Sequence, residues 1–197
     1  MRKILVLFAH PKLEQSKANL ALINAIKDLE GVTFRDLYEL YPDFNIHVNE
    51  EKKILALHDI IVWHHPFYWY SCPPLLKQWI DLVLEYNWAY GPNGRALWDK
   101  TCFNVITTGG SKELYCSSGS NHYSVAEFLR PFEQTAILCG MDYLSPFTVM
   151  GTHRVEAIDL NAYAEKYRAL LEEMMRVPDL AYFKTTNFLS EITLPNQ

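Results

Sequence analysis

The stretch IIVWHHPFYWYSCPPLLKQWID, residues 60–81, joins a strand pattern, an aromatic loop and the start of a helix pattern. Its β-branched apolar run predicts a buried strand that breaks at Pro66. After Pro73 the pattern becomes helical, with Pro74 in the first turn, where proline is well tolerated. The loop between them holds four aromatic residues in unbroken succession, Phe67, Tyr68, Trp69 and Tyr70. Surface loops are normally small and polar, so this loop is unusual.

Strand and helix patterns alternate on both sides of this stretch. Lys3 to Ala9 is a continuous apolar run of strand length, and Ser16 to Leu29 has apolar residues at helical spacing behind Ser16, a natural N-cap. The other predicted strands are residues 32–37, 59–64, 101–108 and 141–147, and the other predicted helices are residues 49–58, 74–85, 125–138 and 155–175. Pro131 predicts a kink or a late start in the fourth helix.

Regular alternation of strands and helices predicts an α/β fold with a parallel sheet between two helical layers. Five strand and helix units fit the three-layer, doubly wound flavodoxin-like arrangement, a five-stranded parallel sheet in the order 2-1-3-4-5. Ligands of such sheets bind at the carboxyl ends of the strands near the switch point. Three loops should therefore converge there, at residues 10–19, 65–74 and 108–123. A flat apolar ligand at this edge would explain the aromatic loop.

Composition excludes several classes of protein. The 197 residues are 49% apolar and suit one large domain. With 18 basic and 23 acidic residues there is no basic stripe, so nucleic acid is not an expected partner. No apolar run approaches the roughly 18 residues of a membrane-spanning helix. The four cysteines are widely spaced and no signal peptide is evident, which predicts reduced thiols and a cytoplasmic location.

The first loop has the chemistry of a phosphate site. Ser16, Lys17 and Asn19 lie at a predicted helix N-terminus, where free N–H groups and the helix dipole favour an anion, and His10 lies across from them. The alternative is structural: Ser16 only caps the helix and His10 fills the end of a strand.

The third loop begins with two threonines and two glycines, and glycines let backbone amides approach a ligand closely. It has neither the Walker A pattern nor the spacing of a dinucleotide fingerprint, so alone it indicates little. The aromatic residues of the second loop could equally fill the core or its rim. Together the three loops describe a pocket with an anion end, an aromatic wall and backbone donors, which matches a flavin nucleotide.

Several motifs, in this order, resemble those of the NAD(P)H quinone oxidoreductase family of flavodoxin-like flavoproteins. They are AHP (9–11), SKAN (16–19), HPFYWYSCPPLLKQWID (65–81), WAYGPNG (88–94) and ITTGG (106–110). Together with LYELYPDFNI (37–46), they are most similar to the small bacterial ancillary subunits of glutathione-regulated potassium efflux systems. The resemblance covers Lys3 to about Met175. It implies a flavin-binding domain at residues 1–176 and a C-terminal extension at 177–197 that packs on the domain or on a dimer partner.

The resemblance also implies roles for individual residues. The flavin phosphate would be held by His10, Ser16, Lys17, Ala18 and Asn19. The ring would be bordered by Phe67, Tyr68, Trp69 and Tyr70, and its polar edge would meet Thr107, Thr108, Gly109 and Gly110. Tyr115 and His122 would serve hydride transfer, although Asn121 stands at the nominal position of the histidine. The expected cofactor is FMN, with FAD as an alternative, and no metal is expected.

The leading hypothesis is a ping-pong reductase. NAD(P)H delivers hydride to the flavin and leaves, and a quinone or similar electrophile then takes two electrons. The alternative is a regulatory subunit, docked on a potassium efflux transporter at the inner face of the membrane. The family likeness predicts a homodimer in which Trp88 and Tyr90 belong to both the interface and the substrate site. The alternative is a loop that folds back on its own subunit.

Two further alternatives are weaker. A phosphorelay receiver would need acidic residues at the strand ends, where this chain has His10 and His65. A metal hydrolase would use His10, His64, His65 and Cys72, but adjacent histidines on a strand point to opposite faces, so His64 and His65 cannot easily share one metal.

Overall fold

A computed structural model describes residues 1–154 and 157–194 of the chain. The strands are β1 (Ile4–Phe8), β2 (Val32–Asp36), β3 (Ile60–Pro66), β4 (Thr101–Thr107), β5 (Asp142–Tyr143) and β6 (Phe147–Val149). The helices are α1 (Lys17–Ile26), α2 (Leu37–Leu40), α3 (Val48–Ala56), α4 (Pro74–Val83), α5 (Val125–Phe128), α6 (Arg130–Leu138) and α7 (Ala157–Arg176). The strand order is β2-β1-β3-β4-β5, with β6 also pairing with β4, and every pair is parallel. The predicted flavodoxin-like order is confirmed.

Alternation along the strands divides the core between the two faces of the sheet. Leu5 and Leu7 of β1 pack with α2 to α6 on one face, whereas Ile4 and Val6 pack with α1 and α7 on the other. The two largest side chains of the first cluster, Trp63 and Trp79, are completely buried. Each buried Leu or Ile contributes about 2 kcal/mol, so both faces stabilise the sheet.

The helix ends follow local signals in the sequence. Ser16 caps α1 by accepting from the backbone N–H of Asn19, and Pro74 begins α4. The predicted fourth helix divides at Leu129 into α5 and α6, and Pro131 lies in the first turn of α6, as a late start requires.

The fifth strand differs from the prediction of one strand at residues 141–147. It consists of β5 and β6, which pair with different parts of β4. Leu144 N–H still donates to the Cys102 carbonyl at 2.9 Å, but Pro146 has no N–H to continue the ladder. The strand pairing therefore resumes at Phe147 and runs on to Val149, two residues beyond the predicted end.

Tyr41 of the motif LYELYPDFNI belongs to a buried network that joins β2 to three helices on one face of the sheet. Asp36 caps α2, and Tyr41 at its end donates to the completely buried Glu51 of α3. Glu51 also accepts from Arg35 of β2 and, at 2.9 Å, from Trp79 Nε1 of α4. Because a buried carboxylate is stable only when paired and hydrogen-bonded, this motif has a structural explanation.

The last helix and the segment after it cover one face of the sheet. Helix α7 runs from Ala157 to Arg176, and the predicted start at residues 155–156 lies outside the described residues. Beyond it, Leu180, Phe183, Leu189, Ile192 and Leu194 are buried in the same cluster as α1 and α7. In the described part of the chain, every helix is too short or too polar to span a membrane.

Candidate functional site

A cavity of about 460 Å³ lies at the carboxyl ends of β1, β3 and β4, which is where this fold class binds ligands. Eight of the predicted site residues line it: His10, Ser16, Lys17, Ala18, Phe67, Tyr68, Thr107 and Gly109. The three loops therefore converge as their positions in the topology predict.

The helix end of the cavity is a network of hydroxyl and amide groups. Asn19 is completely buried, and its Nδ2 donates to Ser16 Oγ and to Thr107 Oγ1, both at 2.9 Å. Ser16 Oγ also accepts from the backbone N–H of Asn19. Asn19 thus lies behind the cavity wall, and the two hydroxyls it contacts belong to residues that line the cavity.

His10 adds a third polar group to this end. Its Nδ1 accepts from the backbone N–H of Lys12 at 3.1 Å, so the neutral ring carries its proton on Nε2 and can donate from there. Burial lowers the pKa of His10, which favours the neutral form. The lysine side chains of residues 12 and 17 and the N-terminus of α1 supply positive charge instead.

The aromatic loop divides between the cavity, the core and solvent. Tyr68 lines the cavity, where its ring contacts His10 edge to face at 5.8 Å between centroids. Phe67 is buried against Tyr115, with ring centroids 5.9 Å apart. Trp69 is 92% exposed, and both Trp69 and Tyr70 adopt left-handed backbone conformations, with φ of 49° and 63°. Trp69 and Tyr70 lie outside the cavity lining.

The glycine loop after β4 is held by the loop after β6. Thr108 Oγ1 donates to the Gly110 carbonyl at 2.6 Å, and the Gly151 N–H donates to the same carbonyl at 2.8 Å. A Cβ on Gly109 would lie 2.7 Å from His153 Nε2, so glycine is needed for His153 to pack this closely. Thr108 and Gly110 support the cavity from behind Gly109.

The two predicted catalytic residues have different surroundings. Tyr115 is half-buried beside the glycine loop, and a Cβ on Gly110 would lie 3.3 Å from its hydroxyl. His122 is exposed in a left-handed turn, with φ of 62°, outside the cavity lining. Asn121, at the nominal position of the histidine, accepts from the Tyr70 hydroxyl at 3.3 Å. The role of His122 stays a prediction.

The loop after β6 contributes residues that the sequence reading missed. Thr152 and His153 line the cavity beside Gly109, and the Thr152 N–H donates to the Thr108 carbonyl at 3.0 Å. The signal was available, because the sequence Gly151-Thr152-His153 follows the last strand. Because the predicted fifth strand ends at residue 147, Thr152 and His153 are not expected near the carboxyl edge of the sheet.

Two larger cavities lack this set of donors. One of about 620 Å³ lies at the amino ends of the strands, among Arg2, Asp59 and Asp142. Another, of about 570 Å³, lies between Tyr115 and Phe188 of the C-terminal segment. The cavity at the carboxyl ends of β1, β3 and β4 joins the N-terminus of α1 to Phe67 and Tyr68. Within the same residues, no three His, Cys, Asp or Glu side chains form a group suited to a metal ion.

Fold and site together define a flavodoxin-like protein, and the chain belongs to the family described as having a flavodoxin-like fold, which matches residues 2–171. Glutathione-regulated potassium-efflux system ancillary protein KefF of Klebsiella aerogenes is 42% identical over 174 residues, covering 85% of this chain and 94% of that protein. The resemblance to this group is confirmed.

Solved structures of similar proteins extend the likeness. General stress protein 14 of Treponema denticola, in complex with FMN, has a TM-score of 0.84 and 39% identity, covering 87% of this chain and 99% of that one. An NADPH-quinone reductase from P. pentosaceus has a TM-score of 0.77 and 30% identity, covering 84% of this chain and 95% of that one.

Proposed function

We propose that this chain is an FMN-dependent NAD(P)H oxidoreductase that reduces quinones or similar electrophiles by two electrons. The observation that carries the proposal is the cavity at the strand ends, where the hydroxyl residues Ser16 and Thr107 and the imidazole of His10 lie beside Tyr68. The FMN complex of one similar protein and the quinone reductase activity named for another support it.

The donor set fits the phosphate of FMN. Ser16, Thr107 and His10 supply neutral donors at the N-terminus of α1, and the neighbouring lysines supply positive charge. Phe67 and Tyr68 offer the apolar side on which a flat ring can lie. When bound, FMN supplies a ring that takes two electrons from NAD(P)H and passes them to the quinone. Donor and acceptor use the same site in turn, which is a ping-pong cycle.

Tyr115 and the glycine loop are the proposed source of donors for the polar edge of the ring. Burial raises the pKa of the Tyr115 phenol, so the hydroxyl keeps its proton at neutral pH and can donate it in a hydrogen bond. The hydrogen bonds between the loops after β4 and β6 hold Gly109 and Gly110 in place. Donors that are fixed before the reaction cost no reorganisation when negative charge develops nearby.

Cofactor identification and kinetics test the proposal together. The protein is purified without added flavin, the bound cofactor is released and identified by mass, and quinone reduction is followed with NADH and with NADPH. FMN and parallel double-reciprocal lines are the expected results, and FAD would revise the cofactor. Failure to bind flavin after incubation with FMN, or the lack of quinone-dependent oxidation of either nicotinamide, would contradict the proposal.

A second candidate function is that of an ancillary subunit of a potassium efflux transporter, held at the cytoplasmic face of the membrane through that partner. The 42% identity to the potassium-efflux ancillary protein favours it. Co-expression with such a transporter and affinity capture tests it, with quinone reduction by the isolated chain measured in parallel. The two functions are compatible, and a homodimer is proposed for both.

A further inference from the structure

His64 is a buried histidine next to the cavity that the proposed chemistry does not use. It lies on β3 and is completely buried, with its ring edge to face against Phe8 and Tyr167. Its Nε2 lies 3.2 Å from Asn19 Oδ1. His64 is thus the innermost member of a chain of contacts that reaches the cavity through Asn19.

The contacts of Asn19 fix the direction of each hydrogen bond. Nδ2 has two N–H groups and donates one to Ser16 Oγ and one to Thr107 Oγ1. Because both hydroxyl oxygens accept from Asn19, neither hydroxyl proton is used in these bonds. Both residues line the cavity, so their protons are available to an acceptor there.

The orientation of the amide depends on His64. Asn19 Oδ1 can only accept, so the neutral His64 ring must carry its proton on Nε2. Burial lowers the pKa of His64 to about 3, and the ring is therefore neutral at physiological pH.

The opposite amide orientation has a cost at His64. It would place the proton on His64 Nδ1, which has no hydrogen-bond partner among the described residues. It would also turn the Ser16 and Thr107 protons inward, toward the amide oxygen. A buried N–H without a partner is rarer than a buried acceptor without one, so the observed orientation is favoured.

We propose that His64 is a positioning residue that holds the Asn19 amide in one orientation and thereby presents the Ser16 and Thr107 hydroxyls as donors to a phosphate monoester. The consequence is a preference of the site for FMN over riboflavin, which has the same ring but no phosphate. The proposal rests on the proposed function, since it assigns the FMN phosphate to this end of the cavity.

The test compares the affinities of the flavin-free full chain for FMN and for riboflavin, measured by quenching of flavin fluorescence. His64→Leu removes the Nε2 donor and should weaken FMN binding by about tenfold or more, because bonds to a charged group are lost. Riboflavin binding should change by less than about twofold. His64→Gln, whose amide N–H reaches a similar position, should restore most of the FMN affinity. Inorganic phosphate should compete with FMN in the wild type and more weakly in His64→Leu.

A second variant and a control keep the result interpretable. Asn19→Asp replaces the amide donors by acceptors at nearly constant shape, and it should show the same selective loss of FMN binding. This variant provides the test if His64→Leu does not fold. His58→Gln alters a buried histidine whose Nε2 contacts Thr33 Oγ1 at 2.7 Å near the other end of β3, and the FMN to riboflavin ratio should not change.

Three outcomes would overturn the inference. Equal losses for FMN and riboflavin in His64→Leu would make the residue merely structural. Unchanged FMN affinity in both His64→Leu and Asn19→Asp would show that the His64–Asn19 contact does not contribute to phosphate binding. A wild type that binds neither flavin would refute the proposed function itself, and the inference with it.

Discussion

His64 and His65 are consecutive residues of β3, both completely buried, yet their hydrogen bonds differ. His65 Nδ1 donates to the Pro66 carbonyl at 3.0 Å, and its Nε2 accepts from Asn104 Nδ2 at 2.9 Å. Asn104 in turn accepts from the Tyr143 hydroxyl at 2.6 Å. His65 therefore has partners for both ring nitrogens, whereas His64 has one among the described residues, on the side of the cavity.

The difference shows how one strand serves two purposes. Alternation along β3 turns the two rings to opposite faces, where they meet different partners. His64 donates from Nε2 to Asn19 Oδ1 and His65 donates from Nδ1 to the Pro66 carbonyl, so the two rings carry their protons on different nitrogens. The His65 network holds the carbonyl that precedes the aromatic loop, which is a structural task. The His64 network ends at residues that line the cavity, which is a task in ligand binding.

Removing the His65 ring should destabilise the fold more than removing the His64 ring. His65→Leu removes two hydrogen bonds and leaves the Asn104 Nδ2 donor buried without its partner, which should lower the free energy of unfolding by about 2–4 kcal/mol. The Pro66 carbonyl keeps one partner, the Tyr68 N–H at 3.0 Å. His64→Leu should cost about 1 kcal/mol, because it removes one hydrogen bond and leaves an acceptor, Asn19 Oδ1, which tolerates the loss of its partner better than a buried donor does. Denaturant unfolding of both variants measures the difference. Equal losses would contradict the division between a structural and a binding histidine.

Acid should destabilise the fold through both histidines. Burial lowers the pKa of His64 to about 3 and of His65 to about 4, below the value near 6.5 of an unfolded chain. The unfolded state therefore binds more protons below about pH 6.5, and stability falls as the pH falls through that window. Each histidine should account for about 2 kcal/mol between about pH 7 and pH 5.

Single glutamine variants of His64 and His65 check this dependence. Each replaces a titrating ring by a neutral amide, so each variant should show a shallower loss of unfolding free energy between about pH 7 and pH 5 than the wild type. A slope as steep as that of the wild type would mean that the histidine concerned is already protonated in the folded state.

Loss of the Tyr115 hydroxyl should lower the rate of quinone reduction without lowering flavin binding. Tyr115 contacts Phe67, which follows the carbonyl held by His65. The side-chain partners of Asn19 are Ser16, Thr107 and His64, so the Tyr115 hydroxyl is not part of that network. Tyr115→Phe keeps the ring and removes the hydroxyl, so quinone reduction should fall by about tenfold or more while flavin content stays the same. Steady-state kinetics and flavin absorbance measure the two quantities. Unchanged turnover would remove Tyr115 from the mechanism.

Truncation of Trp69 in the aromatic loop should have little effect on stability. Its side chain is 92% exposed, so Trp69→Ala should change the free energy of unfolding by less than about 0.5 kcal/mol at concentrations where the chain is monomeric. The measurement is denaturant unfolding at several protein concentrations. A loss above about 1 kcal/mol that grows with concentration would indicate that another copy of the chain covers the loop, in line with the proposed homodimer.

The sequence was sufficient for those parts of the fold and site that depend on local signals. Ser16 as a cap, Pro74 as a helix start and the aromatic loop at a strand end are each readable within a few residues. Apolar runs and helical spacing then determined the strand order through the rules of parallel sheets.

Contacts between distant residues could not be read in this way. Thr107 is 88 positions from Asn19, and His64 is 45 positions from it, so their hydrogen bonds exist only once the register of β3 and β4 is known. His153 was missed for a related reason, because the interruption at Pro146 moved the end of the last strand. The role of His122 comes from the family resemblance, with a spacing one residue longer than the family's, and it stays a prediction for a side chain that is exposed in the structure.

A crystal structure of the chain with bound FMN would show directly where the cofactor lies. We expect the phosphate within hydrogen-bond distance of the Ser16 and Thr107 hydroxyls, at the N-terminus of α1, and the ring beside Phe67 and Tyr68. FMN bound in the cavity beside Phe188 or at the amino ends of the strands would contradict it. So would a reversed pose, with the phosphate at the aromatic loop.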